Sequence, residues 1–160
     1  PAGPPEVNKI IPAGPPEASN IPAGPVIFLK APAVKIEQGG VFPVVLFVDR
    51  SVGMKFIRCE IEFDAVILQV TGIERGELLK EEQEQGQFFN TFDNGNGKIR
   101  LNITLSESHA AGGLQELAIL YFKAREAGKS ELGAILFEVL DKNKKKIESR
   151  FSKITIEVKK

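Results

Sequence analysis

The segment KFIRCEIEF, at positions 55–63, alternates without a break. Ile57, Cys59, Ile61 and Phe63 fall on one side of an extended chain, and Arg58, Glu60 and Glu62 fall on the other. A period of two marks a strand with one buried face, because successive side chains of a pleated backbone point to opposite sides. The same period recurs outward from this segment. Ile99, Leu101, Ile103 and Leu105 alternate with Arg100, Asn102 and Thr104, and Ile154, Ile156 and Val158 alternate with Thr155 and Glu157. Val44, Leu46 and Val48 alternate with Val45, Phe47 and Asp49, so that strand is apolar on nearly both faces. LAILYFKA at 117–124 is apolar on both sides and reads as a central strand, and AILFEVL at 134–140 is similar.

Turn chemistry separates these runs. DNGNG at 93–97, DKNKK at 141–145, AAGG at 110–113 and the pair Gly39-Gly40 all supply residues that tolerate reversed backbone angles. No window carries a long helical period; the best short helix candidate is 77–85, with Leu78 and Leu79. Eight or nine strands within residues 26–160 predict an all-β, antiparallel β-sandwich.

Composition excludes several chemistries. The 21 Lys+Arg residues balance 21 Asp+Glu, so the basic excess of a nucleic-acid binder is absent. One Cys excludes an internal disulfide framework, and one Cys with one His excludes a Cys/His-rich metal site. No run approaches the roughly 18–20 apolar residues of a membrane helix. No phosphate-cradling glycine motif occurs, and the chain has no Trp and one Tyr, too few aromatic platforms for a sugar cleft. A triad mechanism would rest wholly on His109, which reads as an exposed loop residue in SESHAAGG. No catalytic residue, cofactor or metal is expected.

The first 25 residues differ from the rest. They hold eight of the ten prolines, in repeats that begin at Pro1, Pro12 and Pro22 as PAGPPE, PAGPPE and PAGP. Proline fixes φ and pushes the residue before it toward extended backbone, so each unit predicts polyproline-like or turn structure. Gly does not recur at every third position, which excludes collagen. Two segments are therefore expected: an arm or linker at 1–25 and a folded domain at 26–160. The chain starts at Pro1 without a Met, so a processed product or a piece of a longer protein is expected.

Beyond this periodicity, residues 33–160 resemble the cohesin domain, in its wider form within and outside cellulosomes. AVKIEQGGVFPVVLFVD at 33–49 resembles the opening strand. KFIRCEIEFDAVILQVTGIERGELL at 55–79 resembles the strand ending in Tyr/Phe-Asp, its Leu-x-Val step and its Gly-Glu/Ser-Leu-Leu loop; Ala65 departs from the Pro often found after the Asp. FFNTFDNGNGKIRLNITL at 88–105, GGLQELAILYFKAREAGKSEL at 112–132 and LDKNKKKIESRFSKITIEV at 140–158 resemble the later hairpins. The resemblance implies a jelly-roll-type sandwich of about nine strands. It also implies an extracellular or cell-surface setting, no catalysis, and a protein-binding role that is directed at a dockerin in cellulosomes.

Individual residues add limits. Cys59, alternating with Ile57 and Ile61, reads as a small buried apolar group. Asp93 and Asp141 invite a calcium reading, but the third and fifth residues from Asp93 are Gly and the fifth from Asp141 is Lys, so both read as turns. Asn102-Ile103-Thr104 is a glycosylation sequon by pattern. An acidic block (Glu77, Glu81, Glu82, Glu84) and a basic one (Lys142, Lys144, Lys145, Lys146) read as solvated hairpins, or as complementary patches that meet between copies. In the arm, Ile10, Ile11 and Ile21 punctuate the repeats beside Pro12, Pro15, Pro16, Pro22 and Pro25, as apolar anchors on a backbone poor in donors. Three functions follow. The favoured one is self-assembly into a filament or surface structure, with the arm lying on a neighbouring subunit. The second is a monomeric module on a stalk binding a dockerin-like partner. The third is a carbohydrate-binding module, which shares the architecture.

Overall fold

The computed structural model describes residues 24–33, 35–51, 53–81, 87–105 and 113–160. Within them lie eleven strands and one short helix: β1 (Val26–Lys30), β2 (Lys35–Glu37), β3 (Val41–Asp49), β4 (Phe56–Glu62), β5 (Leu68–Arg75), α1 (Glu77–Glu81), β6 (Gln87–Asp93), β7 (Lys98–Thr104), β8 (Gln115–Ala124), β9 (Gly128–Leu140), β10 (Arg150–Ser152) and β11 (Ile154–Lys159). They form a five-stranded sheet, β10-β1-β3-β8-β5, and a six-stranded sheet, β2-β11-β9-β4-β7-β6. The all-β sandwich expected from the period of two is present. Two details differ from expectation. There are eleven strands rather than about nine, and the pairs β1–β10 and β2–β11 run parallel. β2 and β10 are three residues long, too short to carry a period.

The inner faces are those the alternation marks. Ile57, Cys59 and Ile61 of β4, Ile99, Leu101 and Ile103 of β7, Val44, Leu46 and Val48 of β3, and Leu120 and Phe122 of β8 are all buried. Phe122 joins the layers: its ring stacks on Phe42 at 6.0 Å and meets the edge of Phe63 at 5.5 Å. Burying side chains of this size is the main force holding the two sheets together. Pro43 is accommodated inside β3 because β1 reaches only Val45, so the missing N–H faces no partner strand on that side.

Strand direction sorts the loops into two ends. β1 begins where β3 ends, with Val26 opposite Asp49; β8 begins there too, with Gln115 opposite Val48. β4 begins at the same end, and Phe56 faces both Thr104, closing β7, and Leu140, closing β9. Ser51 Oγ donates to Gln115 Oε1 at 3.0 Å and Lys55 N to Leu140 O at 2.9 Å, which fastens the connection between β3 and β4 to one sheet at Ser51 and to the other at Lys55. α1 also lies here, with Leu78 and Leu79 buried.

The opposite end is held by the 93–97 turn. Asp93 Oδ1 accepts from Gly95 N at 2.8 Å and Asn96 N at 3.2 Å, while its Oδ2 accepts from Asn96 Nδ2 at 2.7 Å. Asn94 crosses to the other sheet, accepting from Val70 N at 2.8 Å and donating to Val70 O at 3.0 Å. Gly97 has φ +67, and a Cβ there would run into the Phe63 carbonyl. The turn reading of DNGNG is therefore met, and its oxygens are committed to the chain itself.

Candidate interaction surfaces

Directly opposed residues share a face of a sheet, so register assigns the outward side chains. On the five-stranded sheet, Lys30, Val45, Ile119 and Glu74 form one row across β1, β3, β8 and β5. Phe28 and Phe47 form the next, with rings stacked 5.5 Å apart. Pro43 and Tyr121 form a third, and Val41, 64% exposed, lies beyond them opposite Lys123. Val26 begins the face beside Asp49. Phe28, Val45, Phe47, Ile119 and Tyr121 are half-buried, while Pro43 and Val41 are exposed. This outer face is apolar in its middle, bordered by Lys30, Glu74 and Glu116, the last of these opposite Phe47, and no described strand or helix is stacked on it. Contiguous apolar surface of this kind marks a contact site in a soluble protein. Tyr121 keeps its hydroxyl paired: it donates to Glu74 Oε1 at 3.0 Å, and that bond raises the phenol's pKa.

The outer face of the six-stranded sheet has a different chemistry. Arg100 Nε bonds Glu60 Oε2 at 2.9 Å, Arg58 lies 4.0 Å from Glu138, and Lys153 lies 3.3 Å from Glu131. Asn102, the sequon residue, is exposed between Arg58 of β4 and Phe89 of β6. Apolar groups are scattered among the charges. Phe89 is 63% exposed, and Ile135 and Leu136 emerge at a bulge in β9. Lys55 and Lys144 each lie about 6 Å from the Phe56 ring, at the edge of an open depression of about 270 Å³. A mixed polar and apolar face of this sort suits a reversible protein contact.

The sequence-predicted site residues divide among these regions. Ile10, Ile11, Pro12, Pro15, Pro16, Ile21 and Pro22 lie outside the described residues, as do Glu82, Glu84 and His109. Pro25 lies inside them and is buried; its carbonyl accepts from Arg150 N at 3.1 Å. Gly24 abuts Glu148, whose carbonyl oxygen occupies the place a Cβ would take. Glu77 and Glu81 lie on α1, and Lys142, Lys144, Lys145 and Lys146 are exposed in the turn that follows β9. The described members of both charge blocks thus sit at the end where β1 begins, not at opposite poles of the sandwich. The 141–145 turn is built as expected, with Asp141 Oδ1 accepting from Asn143 N at 2.8 Å and Lys145 N at 3.0 Å.

Cys59 is 2% exposed, and burial followed by the Glu60 charge pushes its thiol pKa up to about 12. It is inert core, because the thiolate is the reactive form. Asp93 is held below the usual carboxylate range by the hydrogen bonds from Asn96 and Gly95. Among the described residues no group of three or more His, Cys, Asp or Glu is placed to hold a metal ion. The sequence reading missed the apolar outer face as a face. Its signal was present: strands at 44–49 and 117–124 that are apolar on both sides.

No protein-family model matches the chain, and no curated protein sequence matches it. Solved structures do. A non-cellulosomal cohesin from the hyperthermophilic archaeon Archaeoglobus fulgidus superposes with a TM-score of 0.70 at 16% identity, covering 86% of this chain and 92% of that one. The second type II cohesin module of the ScaA scaffoldin of Acetivibrio cellulolyticus gives 0.71 at 13% identity, covering 83% and 90%. The type I cohesin–dockerin complex Coh-OlpC-Doc435 from Clostridium thermocellum gives 0.70 at 11% identity, covering 85% and 94%. At these identities the likeness is one of fold, and the described part of this chain is a cohesin-like β-sandwich.

Proposed function

We propose that this chain is a non-catalytic, extracellular or cell-surface assembly module that acts by protein–protein contact, with its N-terminal arm lying on a neighbouring copy. The observation that carries the reading is the course of the backbone at Gly24 and Pro25. Pro25 O bonds Arg150 N, Gly24 abuts Glu148, and Val26 then pairs parallel with Arg150. The arm is thus joined to the sandwich at a fixed point beside β10, where Gly24 and Pro25 are held. An arm of repeated prolines loses little freedom on docking, because its unfolded state is already restricted. Ile10, Ile11 and Ile21 are its apolar anchors. A head-to-tail contact of this type propagates unless its rotation closes a ring, so the product is a filament or a layer.

The test is electron microscopy and sedimentation of the full chain beside a variant with Ile10→Ser, Ile11→Ser and Ile21→Ser. Fibres or sheets from the native chain, lost in the variant, support the reading. Isolated particles in both samples remove it.

A second reading has its own support. Several solved structures of similar fold are cohesins in complex with dockerins, and the mixed outer face of the six-stranded sheet suits a soluble protein partner. In that case the arm is a spacer. Binding of a dockerin-type module that is unchanged in the triple Ile→Ser variant, but weakened by Phe89→Glu, would favour it.

A further inference from the structure

We infer that the seat of the arm is the outer face of the five-stranded sheet of the neighbouring copy, where Phe28, Phe47 and Tyr121 receive the Pro-Ala-Gly-Pro repeats. The inference rests on the assembly reading above and adds the surface, its chemistry and the register of contact.

Two observations converge on this occupant. The first is the face itself, aromatic and apolar from Val26 across Phe28, Phe47, Val45, Ile119 and Tyr121 to Val41, with no described element stacked on it. Extended proline-rich segments are recognised by aromatic surfaces, because rigid pyrrolidine rings lie flat on aromatic ones at small entropic cost. The second is length. Repeats of eleven and ten residues (Pro1 to Pro12, Pro12 to Pro22) would span about 31–34 Å in polyproline form at ~3.1 Å per residue, and the nine residues of β3 span about 30 Å at ~3.3 Å per residue. One repeat thus crosses one face, and the isoleucines recur at the period of that crossing. Gly24 and Pro25, which end the Pro-Ala-Gly-Pro stretch at 22–25, pack against protein: the glycine permits backbone approach and the proline is buried.

The test uses the full chain with the photo-cross-linking residue p-benzoylphenylalanine in place of Ile11. Isotope-labelled and unlabelled copies are mixed before irradiation, and the cross-linked peptides are mapped. Labelled-to-unlabelled cross-links onto segments 26–30, 41–49 or 117–123 are the expected result. Mixed cross-links onto other segments alone would overturn the seat and leave arm-driven assembly standing. Cross-links confined to single copies, or none, would overturn both. A second measurement is independent of the probe. Val41→Glu changes a side chain that is already exposed, so the fold tolerates it; self-association in sedimentation should weaken about tenfold, because the contact would cover an unpaired carboxylate. Phe89→Glu, on the opposite sheet, should leave self-association as in the native chain. Equal association in the native chain and Val41→Glu overturns the inference.

Discussion

The two sheets share one core and turn opposite surfaces to the outside. The five-stranded sheet presents Phe28, Val45, Phe47, Ile119 and Tyr121. The six-stranded sheet presents Arg58, Glu60, Arg100 and Glu138, with Phe89 and Leu136 among them. Folding needs only the inner faces, so the outer ones are where a sandwich encodes partners. An outer face made of ion pairs stays soluble alone and binds reversibly. An outer face made of aromatic and branched side chains is costly to leave in water and calls for a standing partner.

The largest expected effect tests whether the faces belong to one cooperative unit. Phe122 touches both layers through Phe42 and Phe63. Phe122→Ala removes a fully buried ring and should cost about 3–5 kcal/mol in denaturant unfolding. Tyr121, the one tyrosine in a chain without Trp, reports the five-stranded sheet by fluorescence; alkylation of Cys59 reports the six-stranded one. The two probes should give the same midpoint in the native chain and again in the variant. Separate midpoints would show the sheets unfolding apart.

The next effect is alkaline and belongs to the six-stranded side. Cys59 has its pKa raised from 9.0 to about 12 by burial, with Glu60 adding to it. The folded state therefore holds a proton that the unfolded chain gives up. Stability from this source is complete below pH 9 and is lost as pH rises toward 12, at roughly 1 kcal/mol per pH unit. Unfolding midpoints between pH 9 and 11 should fall more steeply for the native chain than for Cys59→Ala. Parallel slopes would mean the thiol is not shielded.

Legibility followed the same division between inside and outside. Periodicity identified the inner faces of β3, β4, β7, β8 and β11, because burial on one side imposes a period of two. It also identified LAILYFKA as an internal strand, and β8 does lie between β3 and β5. Apolarity on both sides of β3 and β8 was legible too, but a strand covered by a second layer and one with a bare apolar face have the same sequence. β2 and β10 were not legible, since three residues carry no pattern and their parallel partners are far away in the chain. Nor was the bulge in β9 that turns Ile135 and Leu136 outward, because it arises from a register shift against β4. The arm was legible as a repeat, and Gly24 only through the Glu148 backbone that it meets.

On the five-stranded face, Phe47→Ala should separate stability from association. The ring is half-buried and gains most from its stack on Phe28, so folding stability should fall by only about 1 kcal/mol. Self-association should fall far more, because the same ring lies in the inferred seat of the arm. Phe89→Ala, on the six-stranded face, should change stability by about 0.5 kcal/mol or less and leave self-association intact. Equal association in both variants would remove the functional difference between the faces.

The smallest effect is the most specific to the charged face. Arg100 and Glu60 are directly opposed on β7 and β4 and meet at 2.9 Å, yet the arginine side chain is 66% exposed. An exposed pair contributes little, since water screens the attraction and two long side chains must be held still. Arg100→Ala should cost about 0.2–1 kcal/mol, with most of the loss gone at ~1 M salt, where the screening length falls to ~3 Å. The corresponding test on the other face is Val45→Ala, whose cost should not fall with added salt, because apolar contact is not screened. If Arg100→Ala keeps its full cost at high salt, the pair is held by geometry rather than by charge. The six-stranded face would then be more rigid, and better shaped for a single partner, than a surface of solvated ion pairs.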